Sequence, residues 1–146
     1  MQIRTRGIPD NVSRSLCKEA IRFYGEELLG KRLSKNIEIL LVFEKLPNIF
    51  NAMCNWQDDN HKCRSFVIVV NKNLNKKTSL IALAHEMVHV KQYARGELKD
   101  YLRTEKVKWK KRTFMLDKVE YWSSPWEKEA YKKDQILYEA FKKRNR

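Results

Sequence analysis

No stretch of this chain stays apolar for long enough to cross a bilayer, and the basic start Met1-Gln2-Ile3-Arg4-Thr5-Arg6-Gly7 has no apolar segment behind it of the kind a secretory leader carries. The expectation is a cytoplasmic protein that makes no use of a membrane. Cysteine is scarce: Cys17, Cys54 and Cys63 form an odd set with no CxxC pair, which fits a reducing compartment better than a disulfide scaffold. Cys54 and Cys63 read as ordinary sheet cysteines; a second metal site with His61 is the weaker alternative. Repeats and low-complexity segments are missing, so nothing divides the 146 residues. One domain spanning residues 1–146 is expected, large enough to bury a core without staples.

Acidic residues are also in short supply. Eighteen Asp and Glu face 31 Lys and Arg, a formal net charge of +13. The excess gathers in Lys72 to Lys77, Lys106 to Arg112 and Lys142 to Arg146. It favours an acidic partner, nucleic acid or an acidic protein, unless it is only a solvated surface. With 42% hydrophobic residues, including six Phe, six Tyr and four Trp, the chain belongs with globular rather than disordered proteins.

The periodicity predicts an α+β fold. Val12, Leu16, Ile21, Phe23, Tyr24, Leu28 and Leu29 recur at near-helical spacing between Asn11 and Gly30, with Asp10 or Asn11 as the N-cap. Ile37 to Phe43 and Arg64 to Asn71 read as strands, and Phe50 to Gln57 alternates loosely before a turn at Asp58 to His61. These three segments predict a small antiparallel sheet. A helix capped by Thr78 or Ser79 should run to Tyr93 or Ala94 and stop at Gly96. Lys106 to Lys110 and Arg112 to Leu116 alternate like a short basic ribbon. Ser124-Pro125-Trp126-Glu127 opens a last helix that reaches about Lys143.

Histidine is scarce as well, and its placement is the strongest signal in the chain. Two of the three histidines fall in Leu83-Ala84-His85-Glu86-Met87-Val88-His89-Val90, the HExxH zinc-hydrolase pattern. Residues i and i+4 share a helix face, so His85 and His89 can turn their rings to one metal. Glu86 is rotated by about 100° from His85, out of the ligand row but near a metal-bound water. A catalytic zinc takes three protein ligands. No histidine follows His89, which excludes the metzincin extension and leaves a carboxylate or a cysteine.

The HExxH helix together with Pro125-Trp126-Glu127-Lys128-Glu129-Ala130 resembles the small gluzincin-type metallopeptidases, including compact bacterial and phage peptidases. The ExEA element is similar to that of the ImmA/IrrE-type peptidases. The resemblance covers about Asn71 to Asp134 and departs at Tyr131, where related patterns often carry Asn or Asp to orient a histidine ligand. It implies a zincin-like domain: an N-terminal helix, a small antiparallel sheet, the HExxH helix and a C-terminal helix bearing the third ligand. That ligand is implied to be Glu127, with Glu129 as the alternative. Ser124-x-x-Glu127 also reads as a capping box in which the glutamate only folds back on its own helix. Glu127 and Glu129 do not share a face, so one should coordinate and the other support it or lie at the surface.

The implied activity is peptide-bond hydrolysis of a protein or peptide substrate with Zn2+ as cofactor. Zinc would bring the pKa of its bound water to about 7, and Glu86 would take the proton as general base and return it to the leaving amine. Tyr121, Tyr131, Tyr93 and His61 are equal candidates for the oxyanion donor. Gln92 and Tyr93 either line the groove or pack, with packing favoured. Trp109, Trp122 and Trp126 read as core or cleft walls. The alternative is a basic nucleic-acid-associated protein with a structural zinc, or a protease acting on DNA-bound proteins as SprT-like enzymes do. That family generally uses a third histidine, which this chain lacks.

Overall fold

Ile39, Leu41 and Phe43 alternate with less buried neighbours along β2 (Glu38–Glu44), and Phe66, Ile68 and Val70 do the same along β4 (Ser65–Asn71). A period of two turns one side of each strand inward, and the pair forms the centre of a four-stranded sheet. The computed structural model describes residues 1–47, 49–58, 62–101, 106–115 and 123–145. The outer strands are β1 (Gln2–Arg6) beside β2 and β3 (Ala52–Trp56) beside β4. β1 and β2 run parallel, as do β2 and β4; only β3 runs antiparallel to its neighbour.

This corrects the expected three-stranded antiparallel sheet in two ways. After β2 the chain passes over one strand position and lays β3 on the far side of β4, so β2 and β4 end up parallel. β1 escapes a pattern search because Ile3 is its one buried residue, between exposed Gln2 and Arg4. Charged flanks are what an edge strand needs to resist pairing with another chain.

Helix α1 (Arg14–Ser34) is the crossover between β1 and β2. Its N-cap is Ser13, whose Oγ accepts the Leu16 N–H at 3.1 Å, rather than Asp10 or Asn11. The predicted end near Gly30 survives as a break: Gly30 sits at φ 79° and one more turn follows. Cys17, Ala20, Ile21 and Tyr24 form the buried stripe, and the Tyr24 hydroxyl donates to the Leu80 carbonyl at 3.0 Å.

Helix α2 (Lys76–Ala94) packs on β3 and β4 and is flanked by α1 and by α3 (Pro125–Arg144). Leu80, Leu83, Ala84, Met87, Val88 and Val90 are buried. A helix enclosed on several sides is apolar over most of its circumference. Asn75 caps it, one turn before the expected Thr78 or Ser79, by accepting the Thr78 N–H at 2.8 Å. Gly96, at φ 71°, ends it, with the Gly96 and Glu97 N–H groups donating to the Tyr93 and Gln92 carbonyls.

The expected basic ribbon is present as β6 (Lys106–Trp109) and β7 (Arg112–Met115), joined by β5 (Leu98–Tyr101) into an antiparallel sheet. Leu98, Val107 and Trp109 cluster with Trp126 at the start of α3. The described residues thus form an α+β fold of three helices and two sheets. None of these helices is long and apolar enough to cross a membrane. His61, Leu116, Tyr121 and Trp122 lie outside the described residues.

Candidate metal centre

His85 and His89 stand one turn apart on α2, their ring centroids 5.1 Å from each other. Glu127 approaches from the first turn of α3, where the Ser124 hydroxyl accepts its N–H at 3.4 Å. Half of the predicted capping box is therefore formed, while the Glu127 carboxylate faces the histidines. Oε2 lies 3.1 Å from His85 Nε2 and Oε1 2.6 Å from His89 Nε2. One ligand atom from each of these residues falls within 4.8 Å of the others, a grouping able to hold a metal ion.

The opposite nitrogen of each ring is also engaged. His85 Nδ1 meets Asp134 Oδ2 at 3.1 Å, and His89 Nδ1 meets Gln92 Oε1 at 2.8 Å. With Nδ1–H donating to those oxygens, each ring turns the Nε2 lone pair to the shared point, the tautomer a metal ligand needs. The Gln92 amide is itself oriented, since Nε2 donates to the Trp126 carbonyl and to Glu129 Oε1, both at 2.9 Å. Lys91 and Lys133 hold Glu129, and Lys91 also pairs with Glu97 at 2.8 Å. Of the two glutamates of the ExEA element, Glu127 joins the histidines and Glu129 supports His89 through Gln92.

Electrostatics follow from this packing. Burial pulls the His85 pKa down, but hydrogen bonds to Asp134 and Glu127 and the charges of Glu86 and Glu127 outweigh it and raise the group to about 9. For Glu127, burial pushes up, and the two imidazoles reverse that and hold it at about 2. Glu86, 5% exposed, is raised mainly by burial, and the nearby histidines offset only part of the shift.

Two cavities meet at this centre. One, of about 160 Å³, is lined by Ala52, Ile81, His85, Tyr131 and Asp134. The other, of about 320 Å³, is lined by Cys54, His89, Tyr93, Leu98 and Trp126. Glu86 and Glu127 line both, and successive residues of β3 border first one and then the other. A cleft thus runs along β3 and passes over the histidines.

Sequence reasoning missed Asp134 as the partner of His85. It sought that partner at position 131, where the Tyr131 ring instead packs 4.5 Å from the His85 ring. The available signal was the spacing, because seven residues bring Asp134 back to the face of α3 that carries Glu127. Gln92, read as lining or packing, is the His89 partner, three residues along the same helix. Tyr93 packs on Trp56 and Phe66 and also borders the larger cavity. Trp109 packs in the small core cluster and Trp126 both packs there and walls the larger cavity, in line with the expected core or cleft-wall roles. Cys17 and Cys54 are free thiols, and the Cys63 thiol donates to the Asp58 carbonyl at 3.6 Å. No family model matches this sequence, and neither a curated protein nor a solved structure shows significant similarity to the chain.

Proposed function

We propose that the protein is a zinc-dependent metallopeptidase of zincin-like architecture, with His85, His89 and Glu127 as metal ligands and Glu86 as general base. The convergence of two imidazole Nε2 atoms and one buried carboxylate at the floor of a cleft carries this reading. Two histidines and a glutamate suit zinc, and their fixed tautomers supply the lone pairs it requires. Bound there, the metal supplies Lewis-acid polarisation of the scissile carbonyl and acidifies water.

The chain's own residues supply the rest. Glu86 reaches both cavities, and its raised pKa suits a group that accepts a proton and passes it to the leaving amine. Among the described residues β3 has a paired neighbour on one side only, so an extended peptide lying along it gains backbone hydrogen bonds and is held over the histidines. Tyr131, in the cavity beside His85, and Tyr93, bordering the cavity beside His89, are the described phenols from which an oxyanion donor would come. A structural zinc is closed by four protein ligands; the grouping among the described residues has three and opens on a cleft, which favours catalysis.

Glu86→Gln tests the reading. The variant is expected to bind zinc like the wild type while cleavage of a denatured protein such as casein falls at least about a hundredfold. Undiminished cleavage would retire Glu86 as the base. A second reading, binding of nucleic acid, is favoured by one observation: Lys99, Lys106 and Lys108 share a face of the β5–β7 sheet. Duplex DNA affinity falling steeply with salt would support it, and an absence of binding at low salt would remove it.

A further inference from the structure

The larger cavity contains a group that metal binding and water activation do not use. Asp100, on β5, lines this cavity beside Leu98, Val107, Tyr93 and Trp126. Strand register explains its direction. Asp100 pairs with Val107 and so shares the face that packs toward Trp126, whereas Lys99, Lys106 and Lys108 take the opposite face. Asp100 Oδ1 is buried without a hydrogen-bond partner, and Asp100 forms no ion pair among the described residues. Asp100 is part-buried, but a carboxylate oxygen shut away without a partner is costly, and a cation brought to it removes the cost.

We infer that this cavity is a specificity pocket that receives a substrate side chain with an aliphatic stem and a cationic end, lysine or arginine, next to the bond that is cut. The inference rests on the peptidase reading and adds the substrate class. The stem lies along Leu98, Val107 and Trp126 while the charged end meets Asp100, the division that long basic side chains make between apolar walls and a polar terminus. Of the two other carboxylates that line the cavity, Glu127 is already taken by two imidazoles and Glu86 is the proposed base. The net charge of +13 opposes the approach of cations, but screening over about 8 Å at physiological salt confines that opposition. Selection is made at contact.

Two measurements test the pocket. Zinc-loaded protein is given a random peptide mixture, and the cut sites are read by mass spectrometry. Lysine and arginine should be enriched about tenfold at one position flanking the cut bonds, as a charged hydrogen bond allows. Asp100→Asn should abolish the enrichment, and Asp100→Lys should turn it toward Asp and Glu. Cleavage with no cationic preference, or a preference that survives in Asp100→Asn, would overturn the inference while leaving the peptidase reading intact. The second measurement needs no turnover. N-acetyl-lysine methylamide and its norleucine counterpart are titrated into the Glu86→Gln protein, following the Trp126 indole N–H by NMR. The lysine compound should bind about tenfold more tightly, and the difference should vanish when Asp100→Asn is added. Equal binding in the parent would overturn the pocket. If the wild type cuts no peptide at all, the peptidase reading falls and the titration alone decides what the cavity binds.

Discussion

His85 and His89 present the same atom to the same carboxylate, yet they are held in opposite ways. His85 leans on a charged group near the rim: Asp134 accepts from Nδ1, and the half-exposed Tyr131 ring packs against the imidazole. His89 leans on a neutral amide in the interior. Gln92 is fully buried and is pinned by the Trp126 carbonyl and by Glu129, which Lys91 and Lys133 hold in turn. A carboxylate makes an imidazole more basic as well as oriented. An amide supplies direction alone, and only while its own partners fix it. The support of His85 should therefore be separable from the fold, and that of His89 should not.

The largest effect should come from the group the two sides share. Glu127→Ala removes the carboxylate that both imidazoles face, and zinc affinity is expected to fall by more than the ~100-fold that an outer partner is worth. Glu129→Ala should keep its zinc; equal loss in the two variants would reverse the ligand assignment. Next come the supports themselves. Gln92→Glu buries a second carboxylate against Glu129 and removes a donor, so urea unfolding of the metal-free protein should show a loss of about 3 kcal/mol. Asp134→Asn should leave that curve within about 1 kcal/mol while weakening zinc roughly 10- to 100-fold. Equal damage to fold and metal in both variants would break the contrast.

A smaller effect is expected from pH. In the metal-free protein the pKa of His85 is raised from 6.5 to about 9, so its contribution to stability is complete below 6.5 and is lost as pH rises through about 9. Glu127, lowered from 4.5 to about 2, contributes above 4.5, and that contribution is lost as pH falls toward 2. Melting curves should show a plateau between these limits, and Asp134→Asn should flatten its alkaline side. Protons and zinc compete for Nε2, so the Tm gain from zinc should be larger at pH 8 than at pH 6. The smallest effect is assigned to Lys133→Ala. Its side chain is 40% exposed, and its pair with Glu129 should be worth at most about 0.5 kcal/mol.

The elements with strong local signals were legible in the sequence. HExxH spacing placed both imidazoles on one face of α2, and Gly96 marked its end, because those features depend on residues within a turn or two. Sheet order was not legible, since it depends on where the chain goes between β2 and β4 rather than on the alternation within each strand. The cap of α1 is Ser13 rather than Asp10 or Asn11, and the Asn11 side chain is instead used on the Leu74 carbonyl, a contact 63 residues away. The histidine supports divide in the same way. Gln92 lies three residues from its target on the same helix, whereas spacing places Asp134 only on the Glu127 face of α3 and it reaches His85 through the packing of α3 on α2.

Zinc content and affinity of the purified chain test the account most directly, measured by elemental analysis and chelator competition on wild type, His89→Ala, Glu127→Ala and Glu129→Ala. The expected result is one zinc per chain in the wild type and in Glu129→Ala, with none retained in the other two. A wild type that takes up no zinc on reconstitution, or a Glu127→Ala variant that holds it as tightly as the parent, would contradict the metal centre.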